Sequence, residues 1–171
     1  MFTFRRSVAA AAMTLLASAA AISNNIGPAS AEQIAGFPTT IVQRAGGTCL
    51  GANGGDNKQV RIYDCNGGTS QQWVFTPKYP LGSYEVKNVY SGKCLDVTGG
   101  STSIGTVVQQ YPCYGSTHQL WYYNSSSGFL TAVHSNLCIA VAHPFPGTGA
   151  YQHACSGGSG ALYTTWNTAP Y

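Results

Sequence analysis

The sequence predicts an all-β domain built from three similar repeats, each with four short strands. Charged residues make up only 8% of the 171 residues, well below the roughly one quarter found in an average soluble protein. The 21 glycines and 11 tyrosines favour turns and strands over helices, and no window shows a sustained helical period. Cysteine and tryptophan also recur along the chain at one shared spacing, which indicates internal repeats.

The spacing of the cysteines and tryptophans defines the repeat. Cys49, Cys94 and Cys138 are 45 and 44 residues apart. The three tryptophans are 48 and 45 residues apart, at Trp73, Trp121 and Trp166. The repeats cover approximately residues 40–80, 81–125 and 126–171.

Short runs of β-branched and aromatic residues between Gly, Ser and Asn turns predict four strands in each repeat. The expected strands are 40–44, 48–52, 60–65 and 72–76, then 83–89, 93–97, 107–111 and 120–124, then 129–134, 137–141, 151–155 and 163–167. A four-stranded unit of this size cannot bury a core alone. We therefore expect the three units to share one core about a pseudo-threefold axis, filled by Val, Ile and the tryptophans.

Residues 1–31 have the pattern of a secretory signal peptide. Arg5 and Arg6 precede an apolar run over 8–22, and the small residues Ala29–Ala31 follow. A membrane anchor is the alternative, but the run is shorter than the roughly 20 residues that span a bilayer. Arg5 and Arg6 make the twin-arginine export route an alternative, but we favour the general secretory route. We expect a secreted, extracellular protein whose single domain occupies 32–171.

Six cysteines in an exported chain predict disulfide bonds. Because the cysteines recur with the repeat, the simplest pairing lies within each repeat. The expected bonds are Cys49–Cys65, Cys94–Cys113 and Cys138–Cys155. Each closed loop would contribute about 3 kcal/mol in the chain-entropy model. Zinc is disfavoured because no two cysteines are two to four residues apart, and the four histidines are scattered, so we expect no metal and no cofactor.

The second repeat resembles one repeat of the ricin B-chain-type lectins, also called carbohydrate-binding module family 13. The resemblance rests on CLDVTGG and VVQQYPCYGSTHQLW, between Cys94 and Trp121. Segments 48–73 and, more loosely, 137–166 are similar. The Gln-x-Trp that closes a repeat is intact in the first two, whereas the third has Thr164 in place of the glutamine. The resemblance implies a β-trefoil fold and binding of a carbohydrate, of galactose or xylose type.

In that family each repeat can hold one shallow sugar site, and the resemblance places the main site in the second repeat. The residues carried over are Asp96, Gln109, Tyr111, His118 and Gln119. His118 stands where the family usually has Asn. A carboxylate can accept two sugar hydroxyls, a tyrosine ring can cover the C–H face, and amides and imidazole supply mixed donors and acceptors. An open site of this kind is expected to bind weakly, at about 0.1 to 10 mM.

Three of these residues have a structural alternative. Asp96 would then cap the turn before Gly99, Tyr111 would be a strand residue facing solvent, and Gln119 would bond only backbone within its repeat.

The other two repeats match the site pattern less well. The first has Gly51 at the aspartate position and Arg61 at the upstream polar position, but it keeps a weaker candidate site at Tyr63, Ser70 and Gln71. Asn53 and Asp56 are the candidate substitutes there for the missing aspartate. The third repeat has Ala140, His153 and Thr164 at the matching positions, so we expect no binding there.

Charge and motif content exclude several classes of function. Beyond residue 31 the chain has six basic and five acidic residues, so it carries no footprint for nucleic acid and no polybasic membrane patch. No second apolar stretch follows the first, so we expect no membrane insertion. A glycosidase needs two facing carboxylates, and the five acids form no recognisable pair, nor is there a hydrolase or phosphate-binding motif. We therefore predict a non-catalytic protein.

Two other functions stay open at this stage. One is a protein-binding trefoil, such as an inhibitor or a toxin-associated subunit, and the other is a small hydrolase. The sequence makes no prediction of oligomeric state.

Overall fold

The computed structural model describes residues 35–156 and 163–170. Within them the chain forms thirteen short strands and three one-turn 3-10 helices. The strands are β1 (Pro38–Gln43), β2 (Cys49–Gly51), β3 (Lys58–Gln59), β4 (Arg61–Tyr63), β5 (Gln72–Lys78), β6 (Ser83–Asn88), β7 (Cys94–Val97), β8 (Val108–Tyr111), β9 (Leu120–Asn124), β10 (Phe129–Ala132), β11 (Cys138–Val141), β12 (Ala150–His153) and β13 (Trp166–Pro170). The 3-10 helices are Thr69–Gln71, Thr98–Gly100 and Thr117–Gln119. The predicted signal peptide lies outside the described residues.

The predicted all-β class is confirmed, and each of the twelve expected strands has a counterpart. A thirteenth strand arises because the third strand of the first repeat is divided at Val60 into β3 and β4. The backbone N–H of Val60 donates to Val108 at 3.0 Å, and its carbonyl accepts from Ala150 at 2.9 Å. Val60 thus bonds to the second and third repeats, whereas β4 returns to pair with β2 of its own repeat.

Six strands close into a barrel to which each repeat contributes its first and last strand. Antiparallel pairing runs β13–β1–β5–β6–β9–β10. The ring closes through an antiparallel bridge between Phe129 and Thr165 and a 2.8 Å bond from the Trp166 N–H to Gly128. These contacts join the β10 end of the sheet to the β13 end.

The remaining strands form one hairpin per repeat, β2–β4, β7–β8 and β11–β12. Each hairpin region touches the next in a cycle. β3 pairs with β8, Val107 bridges to Tyr151, and Gly149 bridges back to Arg61. The barrel and the cyclic hairpins together are the β-trefoil that the resemblance implies, with the pseudo-threefold symmetry that the repeat predicts.

The three tryptophans fill equivalent places in the shared core, as expected. All are fully buried, and each indole N–H donates to the backbone carbonyl of the residue that follows the first cysteine of its repeat. The bonds are Trp73 to Leu50 at 2.9 Å, Trp121 to Leu95 at 2.9 Å and Trp166 to Ile139 at 3.1 Å. A buried carbonyl without such a donor would cost about 1–3 kcal/mol, so the tryptophans serve both packing and hydrogen bonding.

The disulfide prediction is confirmed in all three repeats. Cys49 bonds Cys65, Cys94 bonds Cys113, and Cys138 bonds Cys155. The sequence separations are 16, 19 and 17, so each bond ties the two ends of one hairpin together. In the described part of the chain no helix combines the length and the apolar character needed to cross a membrane.

Candidate functional site

The hairpin of β7 and β8 carries the centre of the predicted site. Asp96 on β7 lies directly opposite Gln109 on β8, so the two side chains share one face of the hairpin. Both are buried, and Asp96 is only 1% exposed. A carboxylate at this depth requires hydrogen-bond partners, because burying an unpaired charge is costly.

Two glutamine amides supply those partners. Nε2 of Gln109 donates to Oδ1 of Asp96 at 2.8 Å, and Nε2 of Gln119 donates to Oδ2 at 3.0 Å. The Nε2 atom of His118 lies 3.6 Å from Oδ2. The carboxylate is thus fixed in orientation by its two amide partners, rather than by capping the adjacent turn. Each oxygen retains lone-pair capacity for a further donor.

Gln119 lies beneath the site instead of at its surface. It is fully buried, its second amide hydrogen bonds the Pro112 carbonyl at 2.9 Å, and its Oε1 accepts the Tyr114 N–H at 3.0 Å. This bonding favours a positioning role for Gln119 over the predicted contact with a sugar, because both amide hydrogens and the amide oxygen already have protein partners. The proposed structural alternative describes part of this role, because Gln119 bonds both backbone and the carboxylate.

A shallow pocket of about 260 Å³ lies over Asp96. It is lined by Asn57, Asp96, Thr98, Gly99, Gln109, Tyr111 and Tyr114. Three of the five predicted residues thus line it, whereas His118 and Gln119 do not. Sequence reasoning missed Asn57, Thr98, Gly99 and Tyr114.

Two tyrosines form a right-angled wall of this pocket. The rings of Tyr111 and Tyr114 have centroids 5.8 Å apart and planes at 78°. Tyr111 is half-buried and Tyr114 is 56% exposed. Such a corner can cover two faces of a small ligand with apolar surface. The sequence signal that could have identified Tyr114 is its position directly after Cys113, at the end of the same hairpin.

His118 supports Tyr114 and does not line the pocket. Its Nε2 is hydrogen-bonded to the Tyr114 hydroxyl, and its Nδ1 to the Ser116 hydroxyl at 2.9 Å. Partial burial raises the pKa of the Tyr114 phenol above its ordinary value of 10.0, and the negative charge of Asp96 and the neighbouring Tyr111 act in the same direction. The phenol therefore stays protonated at neutral pH.

The turn that follows Asp96 depends on glycine. Gly99 and Gly100 have φ values of 63° and 64°, in the left-handed region that side chains disfavour. A Cβ at Gly100 would lie 2.9 Å from Nδ1 of His118. Glycine at this position therefore lets the turn pack against the imidazole that holds Tyr114.

The first repeat lacks the acceptor that Asp96 provides. A Cβ at Gly51 would meet the ring of Tyr63 at 3.0 Å, so the tyrosine occupies the space next to the missing side chain. Gln71 makes only backbone bonds, to the Asp64 carbonyl at 2.9 Å and from the Asn66 N–H at 3.0 Å. Arg61 donates to the Gly147 carbonyl of the third repeat at 2.7 Å.

Ser70, the other member of the weaker candidate site, is half-buried. Its carbonyl accepts bonds from the Ala52 N–H and the Asn88 amide, both at 2.9 Å. The weaker candidate site therefore contains no carboxylate, since its members are Tyr63, Ser70 and Gln71.

The third repeat offers no carboxylate either. Ala140 is fully buried, His153 pairs with Cys138 across the hairpin, and the Thr164 hydroxyl donates to the Ser156 carbonyl. The residues at the three matching positions thus make contacts within the fold.

One cluster of potential metal-binding side chains occurs among the described residues, formed by Glu85, Cys94 and Cys113. Both sulfurs belong to one disulfide bond. A metal needs thiolate sulfur, so this cluster offers only one ligand.

Comparison with known proteins supports the architecture. A family model described as "Ricin-type beta-trefoil lectin domain-like" matches residues 70–153. The designed threefold-symmetric protein ThreeFoil is 30% identical with a TM-score of 0.70, and the match covers 78% of this chain and 99% of that one.

Two natural proteins show the same fold within longer chains. The exo-β-1,3-galactanase 1,3Gal43A from Clostridium thermocellum is 26% identical with a TM-score of 0.70, over 80% of this chain and 30% of that one. The Polyporus squamosus lectin, solved with a human-type influenza-binding epitope, is 17% identical with a TM-score of 0.65, over 78% and 49%. The present chain thus spans less than a third of the galactanase and about half of the lectin, and the second likeness concerns the fold alone.

Proposed function

The chain belongs to the ricin-type β-trefoil lectin-like family, and on that premise we propose that it is a secreted, non-catalytic carbohydrate-binding protein. Its ligand is a galactose- or xylose-type sugar, bound chiefly through the second repeat. The observation that carries this proposal is the Asp96 carboxylate, fixed by Gln109 and Gln119 beside the wall of Tyr111 and Tyr114.

The pocket matches the two kinds of surface that a sugar presents. Vicinal hydroxyls on the rim of a sugar can donate to the two oxygens of Asp96 in charge-assisted bonds. The C–H face can lie against Tyr111, which removes apolar area from water. Gln109 donates one amide hydrogen to Asp96. Its second amide hydrogen and its amide oxygen can bond a further hydroxyl.

The shape of the pocket supports weak binding of one sugar unit. A volume of about 260 Å³ lies below the range of enclosed small-molecule sites, and the contacts are few. We expect a dissociation constant of about 0.1 to 10 mM for a single sugar. Useful retention then requires polymeric ligands or several copies of the protein acting together.

The choice of a galactose-type ligand has support from one relative. The galactanase, at 26% identity, acts on a galactose polymer according to its name. Stereochemistry within the pocket must distinguish galactose from xylose, and a binding screen decides between them.

The content of the pocket supports the absence of catalysis. Asp96 is the one carboxylate among the residues that line it, whereas glycoside hydrolysis uses two carboxyl groups that flank the bond. Secretion is supported by the three disulfide bonds, because such bonds persist mainly in oxidising compartments. The predicted signal peptide at 1–31 is consistent with that location.

The proposal is tested by a glycan and polysaccharide screen with the secreted protein and matched aspartate variants. Asp96→Ala should lose sugar retention at least about tenfold, because a charge-assisted hydrogen bond contributes about 1.5–3 kcal/mol. Asp64→Ala removes an exposed carboxylate of the first repeat and should bind like the wild type. Circular dichroism and peptide mapping of the disulfides check that each variant is folded.

Two outcomes would contradict the proposal. Unchanged retention by folded Asp96→Ala would move the site elsewhere, with Tyr63, Ser70 and Gln71 as the next candidates. A blank screen for the wild type, with capture of a protein partner, would favour a protein-binding trefoil.

A further inference from the structure

A loop of the first repeat forms one side of the second-repeat pocket. β3 pairs with β8 through Lys58 opposite Gln110 and Gln59 opposite Gln109. The hairpin of β7 and β8 therefore gains a third strand from the neighbouring repeat, in the order β7–β8–β3. The residue just before β3, Asn57, lines the same pocket as Asp96 and Tyr111.

The second repeat holds this loop in place. Nε2 of Gln110, which is fully buried, donates to the carbonyls of Gly54 at 2.7 Å and Gly55 at 3.2 Å. Nζ of Lys93 lies 2.7 Å from Oδ1 of Asp56. The buried amide bonds fix the loop more firmly than the ion pair, because partly exposed ion pairs contribute little.

Asn57 has a left-handed backbone conformation and a side-chain amide without a hydrogen bond among the described residues. Its φ of 57° is one of two positive values among described residues other than glycine, and Asn136 has the other, at 56°. Asparagine tolerates this left-handed conformation better than most residues. Among the described residues its side-chain amide has no hydrogen-bond partner, so both a donor and an acceptor are available at the pocket.

Strand register places Asn57 across the pocket from Asp96. Lys58 pairs with Gln110 in antiparallel register, so Asn57, one residue earlier in the chain, lies beside Tyr111. Asp96 pairs with Gln109 on the opposite side of β8. With strands about 4.8 Å apart and a rise of about 3.4 Å per residue, the two Cα atoms are roughly 12 Å apart. A sugar bound to Asp96 and resting on Tyr111 would present its far edge to Asn57.

We propose that Asn57 contacts the bound sugar and that the second-repeat site is composite, with one wall supplied by the first repeat. This inference rests on the proposed function. Asn57 hydrogen-bonds a hydroxyl or the ring oxygen at the edge of the pyranose opposite the hydroxyls that Asp96 accepts. It therefore discriminates between sugars that bind Asp96 alike but differ at that far edge.

Glycine substitution separates the amide from the backbone conformation. Asn57→Gly keeps a residue that adopts positive φ without strain and removes the amide. Asn136→Gly makes the same backbone change in the third repeat and is the matched control. Binding of galactose and of xylose is measured by chemical-shift titration of the exported protein. Asn57→Gly should weaken the better ligand about three- to tenfold, the loss expected for one hydrogen bond, and Asn136→Gly should match the wild type.

A third variant distinguishes contact from loop position. Lys93→Ala removes the ion pair with Asp56 but leaves the Asn57 amide, and it should bind within about twofold of the wild type. Equal affinity of wild type and Asn57→Gly, or an equal loss in Lys93→Ala, would overturn the proposed contact and leave the proposed function intact. Failure of the wild type to bind either sugar would overturn both.

Discussion

Gln119 donates a 3.0 Å hydrogen bond from Nε2 to Oδ2 of Asp96. Two residues further along the chain, the indole N–H of Trp121 bonds the carbonyl of Leu95, the residue before Asp96. The two named residues of the Gln-x-Trp motif thus bond neighbouring residues of β7. Gln119 bonds the Asp96 side chain in the site, and Trp121 bonds the Leu95 backbone in the core. The orientation of the carboxylate is therefore coupled directly to the packing of the domain.

Replacing Gln119 by Ala should reduce both stability and binding. The variant loses bonds to Pro112, Tyr114 and Asp96, so unfolding in urea should require about 1–3 kcal/mol less free energy. Sugar affinity should fall because Asp96 loses one of its two fixed partners. Gln71→Ala is the matched control, since Gln71 makes the same two backbone bonds without a carboxylate. It should lose similar stability and keep its affinity, and wild-type affinity in Gln119→Ala would contradict the positioning role.

Replacing Trp121 by Phe should destabilise the protein by about 2–4 kcal/mol. The change leaves the buried Leu95 carbonyl without its donor and creates a small cavity. The equivalent bonds of Trp73 and Trp166 predict similar losses for their Phe variants, measured as shifts of the urea midpoint. A large loss in one repeat with none in the other two would show that the core is not shared as the threefold arrangement requires.

Titration of the tyrosines should reveal the environment of Tyr114. Burial, Asp96 and Tyr111 raise its pKa above 10.0, so the folded protein favours the neutral phenol. The resulting stabilisation is complete below pH 10.0, the ordinary value, and is lost as the pH rises through the higher pKa of the folded state.

Phenolate absorbance followed against pH measures this effect. Tyr114→Phe should remove one late-titrating phenol, while Tyr151, whose pKa burial also raises, remains as an internal reference. Asp96→Asn should bring the titration of Tyr114 to lower pH, because it removes the negative charge that opposes ionisation. An unchanged curve above pH 10.0 in Tyr114→Phe would contradict the described environment.

The sequence predicted those features that recur once in every repeat. The disulfide pairs and the buried tryptophans follow from residues that keep one spacing, for instance Cys94 with Cys138 or Trp121 with Trp166. The sequence also predicted that one site contains Asp96, Gln109 and Tyr111, because these residues match a motif within a single hairpin.

Features that depend on contacts between repeats were missed. The break at Val60 arises from bonds to Val108 and Ala150, and Asn57 reaches the pocket only because β3 pairs with β8. Residue spacing within one repeat carries no information about these contacts. For Gln119 the sequence left a sugar contact and a structural role both open, because the motif does not show how deeply the side chain is buried.

Mapping where a sugar binds is the decisive test of the second-repeat site. Galactose and xylose are titrated separately into isotope-labelled protein, and the backbone amide shifts are followed by nuclear magnetic resonance. The better ligand should shift the amides of 96–99, 109–111 and 114, and Asp96→Ala should abolish these shifts. Shifts confined to the hairpin of the first or third repeat, or shifts that persist in folded Asp96→Ala, would show that Asp96 does not hold the sugar.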